Sequence, residues 1–91
     1  MQYRLLAVVG DQRHVRTVRQ AAALGRPSAV IPVASWRFAF WELSTKREAL
    51  RAGKRMVKDG RPLSVSVSRS DDHRDLFSWL RPDCRLPKGG R

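Results

Sequence analysis

The stretch from Trp36 to Ser68 leaves this chain few folds, because it writes a strand, a helix and a strand in immediate succession. WRFAFWEL puts Trp36, Phe38 and Phe40 on one face and Arg37, Ala39, Trp41 and Leu43 on the other. RPLSVSVS alternates apolar and hydroxyl residues, the pattern of a half-buried strand. Between them lies a segment with both helix ends marked. Thr45 and Glu48 form a T-x-x-E capping box, in which the hydroxyl accepts from a backbone N–H that the first turn leaves free. Gly60 suits a left-handed closing residue, and Pro62 forbids continuation. A helix of about four turns is long enough for a crossover, so the two strands run parallel if they share a sheet.

The remaining segments fit around this unit. Tyr3 to Val9 reads as a first strand that exits through Gly10-Asp11. Asp11 can cap a helix over Gln12–Leu24, with Val15, Val18 and Ala22 inward and Gly25 and Pro27 ending it. Ser28 to Val33 is a short apolar strand. Its Pro32 lacks an N–H, which confines it to a sheet edge or ends it early. Ser70 can cap a last helix, Asp71–Leu80, that buries Leu76, Phe77 and Leu80 before Pro82. The segment 82–91 has too little apolar side chain to pack and reads as a flexible basic tail.

The expectation is one small α+β domain over residues 1–81, in the order β-α-β-β-α-β-α. A three- or four-stranded sheet would carry helices mainly on one face, with a disordered basic tail at 82–91. An apolar content of 42% supports one modest core of this kind.

Charge carries the functional signal. Nineteen Lys and Arg oppose eight Asp and Glu, a formal net charge of +11. Residues 1–27 hold five cations against one anion, 44–62 hold seven against two, and 82–91 hold three against one. Segments 28–43 and 63–81 balance to zero, so a basic surface and a neutral one are expected. At 100° per residue, Arg47, Arg51, Lys54, Arg55 and Lys58 share one face of the central helix. Exposed helices usually mix signs for i,i+4 support. Here like charges fall at Arg47/Arg51, Arg51/Arg55 and Lys54/Lys58, which mildly destabilises the helix. Phosphate binding accounts for that cost better than a merely solvated face. Arg13, Arg16 and Arg19 step along the first helix, and Arg85, Lys88 and Arg91 extend the tail.

Other chemistries find less support. Asp71, Asp72, His73 and Asp75 suggest an acid/base or metal cluster, but at a helix start they complement the dipole instead. His14, His73 and Cys84 lack metal-ligand spacing, and no Gly-rich phosphate loop occurs. No catalytic residue, metal or cofactor is therefore assigned. Trp36, Phe38, Phe40 or Trp41 could stack bases, yet a chain with seven aromatic residues needs most of them inside. The single cysteine fits a reducing cytoplasm. No signal segment is evident, and no run nears the roughly 20 apolar residues of a membrane span.

The residues thus point to a non-catalytic, cytoplasmic nucleic-acid-binding module, for DNA or RNA, that contacts phosphates through its basic helix. The alternative is an accessory or inhibitor, as phages and plasmids encode, that docks on an acidic protein. Trp36, Trp41 and Trp79 would then supply an aromatic interface, which would also suit a homodimer.

Overall fold

β1 (Tyr3–Val9) is largely apolar, with Arg4 its one charged residue, and a strand of this composition suits an interior position paired along both edges. It lies at the centre of the sheet. The structure, a computed structural model, describes residues 2–72 and 74–82. After β1 come α1 (Gln12–Ala21), β2 (Ala29–Val33), β3 (Trp36–Leu43), α2 (Lys46–Arg55), β4 (Ser64–Arg69) and β5 (Asp75–Leu80). The five strands form one antiparallel sheet in the order β2-β3-β1-β4-β5.

Two consequences follow from that order. β3 and β4, joined through α2, point the same way, as a crossover requires, but β1 lies between them. β1 and β2, joined through α1, straddle β3 in the same manner. This is the split β-α-β arrangement, used twice. β2 is an edge strand, where Pro32 costs no ladder hydrogen bond.

The sheet has five strands, not three or four, because the expected last helix is a strand. Ser70, Asp71 and Asp72 form a turn after β4, and β5 pairs antiparallel with β4. Asp72 accepts from the Arg74 N–H at 3.1 Å, and Arg69 reaches Asp71 and Asp72 at 3.5 and 3.7 Å. Asp71 and Asp72, which resemble a helix start, therefore build a turn, and Asp75 opens β5. Pairing with β5 satisfies the outer edge of β4, which a helix could not do.

Both helices lie on one face of the sheet, as expected. Leu5, Ala7 and Val9 of β1, Ala39 and Trp41 of β3, and Val65 and Val67 of β4 meet Val15 and Val18 of α1 there. Ala49, Ala52 and Met56 complete the core from the second helix. Small residues set the spacing. At Gly53 an added Cβ would lie 3.2 Å from Val67 Cγ2, so α2 sits directly on the valines of β4.

The helix ends use different residues from those the sequence suggests. α1 stops at Ala21, three residues early, and Ala23 takes the left-handed conformation (φ 56°). The N–H of Leu24 bonds the Arg19 carbonyl at 3.0 Å and that of Ala23 bonds Gln20 at 3.1 Å, which completes a Schellman motif without glycine. α2 continues into a π turn, Met56–Gly60, and Arg61 (φ 50°, ψ 51°) is its left-handed cap. Gly60 serves close approach instead. A Cβ there would lie 2.8 Å from Val18 Cγ1 and 3.0 Å from Val18 Cα. His14 fixes the same junction: its ring accepts from the Gly10 N–H at 3.4 Å and its Nε2 donates to the Gly60 carbonyl at 2.7 Å. The N-terminal ends are as the sequence dictates. Asp11 accepts from His14 N at 2.8 Å, and Thr45 accepts from Glu48 N at 3.1 Å. Among the described residues, no helix is long and apolar enough to cross a membrane.

Gly60→Ala should cost about 1–3 kcal/mol in urea unfolding, because the Val18 backbone cannot yield as a side chain could. Gly25→Ala, where a Cβ meets nothing within 4 Å, is the control and should fall within about 0.5 kcal/mol of the parent. Equal effects at the two sites would refute the close-contact account.

Candidate nucleic-acid interface

The capping box starts α2 at Lys46, and this start sets the phase of every later side chain. Ala49, Ala52, Gly53 and Met56 turn inward, and Leu50 is half-buried. Arg47, Arg51, Lys54, Arg55 and Lys58 are then all exposed, with Leu50 forming the floor of a shallow groove between them. The three ion pairs among the described residues use Arg4 and Arg69. None of the five helix cations takes part in one. Lys54, Arg55 and Lys58 lie toward the C-terminal end, where positive charge complements the helix dipole. That offsets part of the like-charge repulsion. It does not neutralise the row.

The basic surface continues past the helix. Val57, Lys58, Arg61, Trp79 and Arg81 line a second concavity of about 460 Å³. Lys58 borders both depressions, so the two are neighbours on the surface. Arg81 donates from its guanidinium to the Arg61 carbonyl and from its backbone N–H to Leu63 at 2.9 Å. These bonds hold the two arginines at one end of β5. Trp79 is half-exposed there, on the helix-side face of the sheet at its outermost strand.

Arg61 and Arg81 are absent from the sequence-derived set. Each lies outside a helix, and only the folding of β5 against β4 joins them to the row. No local sequence signal marks either of them as part of the site.

The cations of α1 belong elsewhere. Arg13 and Arg16 are exposed and Arg19 is half-buried. Arg16 and Arg19 line a separate concavity with Arg26 and Pro27. The three tryptophans also separate. Trp41 is buried in the core, and its indole N–H donates to the Gly25 carbonyl at 3.0 Å. Trp36 is on the sheet face opposite the helices, and Trp79 borders the basic groove. They form no common aromatic patch. His73, Cys84 and the tail cations Arg85, Lys88 and Arg91 lie outside the described residues. Among the described residues, no group of His, Cys, Asp and Glu could hold a metal ion.

No family model matches the chain, and neither a curated protein nor a solved structure shows significant similarity to it.

The left-handed backbone at Arg61 costs about 1–2 kcal/mol that glycine would not incur. Glycine's greater freedom in the unfolded chain takes back part of this, about 0.5–1 kcal/mol. With about 1 kcal/mol remaining, Arg61→Gly should raise Tm by about 4–8 °C, measured calorimetrically. An unchanged or lower Tm would show that the arginine side chain contributes packing of its own.

Proposed function

We propose that the protein is a small, non-catalytic nucleic-acid-binding module that holds a phosphate backbone along α2 and the groove beyond it. One observation carries this reading: five exposed cations on one helix face, none ion-paired among the described residues. From Arg47 to Lys58 they span about 16 Å, roughly the axial rise of five phosphates of one strand. An array of this kind displaces counterions and gains affinity from their release. It positions a nucleic acid without reading its sequence.

Two further features support the same reading. Arg61 adds a further exposed cation beside Lys58 at the end of the row. Trp79 offers an aromatic face at the end of the basic row, flanked by Lys58, Arg61 and Arg81. A base freed from a single strand can stack there while its phosphates follow the helix, whereas a base inside a duplex cannot. The reading therefore favours single-stranded DNA or RNA.

Equilibrium binding of labelled single- and double-stranded DNA and RNA across a salt series tests it. Arg51→Gln with Arg55→Gln should weaken binding to all sequences alike. The slope of log K against log salt should become shallower by about 1.4–1.8, two contacts at 0.7–0.9 each. Trp79→Ala should weaken single-strand binding by about 1–3 kcal/mol and leave duplex binding unchanged. Parent binding no tighter than that of a polycation of equal charge would sink the proposal. The basic row would then fall to an acidic protein partner.

A further inference from the structure

The face of the sheet turned away from the helices has no cover. Among the described residues three large hydrophobic side chains are exposed: Ile31 at 48%, Val33 at 39% and Leu80 at 52%. All three lie on this face. The register sets Ile31 opposite Phe38, Val33 opposite Trp36 and Leu80 opposite Ser64, and directly opposed residues share a face. Phe40 and Leu6 are also paired there, both half-buried. The apolar part runs across β2, β3 and β1, where Ile31, Val33, Trp36, Phe38, Phe40 and Leu6 adjoin; β4 and β5 continue the face with serines and Leu80. A soluble monomer seldom leaves an aromatic and aliphatic patch of this kind in water.

We infer that this face is the interface of a homodimer, in which two sheets pack face to face with their helices outward. Charge identifies the occupant. The charged residues that the register puts on this face are Arg4, Glu42 and Asp75. Arg4 is already paired with Glu42 at 3.2 Å and stands 5.8 Å from the centroid of the Phe40 ring. Phosphates would find no uncommitted cation on it, so nucleic acid is poorly matched to it. An acidic protein would be drawn to the helices. A second copy presents the same near-neutral apolar surface, and a two-fold axis sets like against like.

Size and field agree. Five strands about 4.8 Å apart and six residues at about 3.3 Å make a face of roughly 24 by 20 Å. Its relief adds accessible area to that flat projection and brings it near the ~600 Å² per partner at which specific interfaces begin. The chain carries +11, yet self-association is not opposed where it occurs. Packed sheets lie about 10 Å apart, and the basic helices stand about 10 Å behind each. The two basic rows are then about 30 Å apart, several Debye lengths at physiological salt. This inference does not depend on what the basic row binds.

Sedimentation velocity of the full chain, without nucleic acid, from low to high micromolar concentration, tests it. Twice the monomer mass is expected. Ile31→Lys with Val33→Lys changes two side chains already exposed on an edge strand, so the fold should survive, as circular dichroism would verify. That variant should dissociate more readily by roughly 30-fold or more, the scale of a lost hot spot. Arg51→Gln with Arg55→Gln should remain dimeric. A parent that stays monomeric throughout, a mass that grows beyond the dimer, or a folded lysine variant that still dimerises would each overturn the inference. So would a monomeric parent whose Phe38 and Phe40 are protected by single-stranded RNA, which would assign the face to bases.

Discussion

Everything in this fold depends on β1 being paired on both edges. Its seven residues hydrogen-bond β3 on one side and β4 on the other, in antiparallel register along nearly the whole strand. That pairing decides which row of each neighbour faces the helices. Leu5 is flanked by Trp41 and Val67, and Ala7 by Ala39 and Val65. The inner layer is thus mostly small or β-branched residues around one large indole. Both helices can settle close to it, and Gly53 and Gly60 bring them into contact with the sheet and with each other.

Once the helices are fixed in this way, the sign of each surface follows. The helical layer takes the cations, because the residues of α2 that do not face the core are almost all Arg or Lys. The opposite sheet face takes the alternate residues of the strands, which are aromatic, aliphatic or serine apart from Arg4, Glu42 and Asp75. One molecule therefore presents two unlike surfaces. The segregation seen as charge blocks along the chain is the one-dimensional trace of that division.

Much of this was legible because it rests on local chemistry. Thr45 and Asp11 mark helix starts through their own side-chain hydrogen bonds. Pro32 marks an edge, and the valine–serine alternation of β4 marks a half-buried strand. What was not legible depends on distant partners. Asp75 to Leu80 fits a helix through Leu76, Phe77 and Leu80, and fits a strand through Phe77 and Trp79. Only the free edge of β4 decides between them. Gly25 and Gly60 look like helix caps, yet Ala23 and Arg61 take the left-handed positions, because Gly60 is needed against Val18. The basic row was readable from helical spacing alone. Its extension to Arg61, Trp79 and Arg81 was not, since it exists only after β5 docks. Alternation already set Trp36 and Trp41 on opposite faces of β3, but which face the helices cover is a property of the whole sheet.

The scattering of the tryptophans has an optical consequence. An indole in a dry core emits at shorter wavelength than one in contact with water, and quenchers in solution reach it less readily. Trp41, buried and hydrogen-bonded to Gly25, reports whether the core is intact. Trp36 reports whether the open sheet face is covered, and Trp79 whether the basic groove is filled. With two of the three replaced by phenylalanine, the remaining one becomes a private probe of its own surface. Each single-tryptophan variant would thus follow one part of the molecule, the core, the open sheet face or the basic groove, with no attached dye.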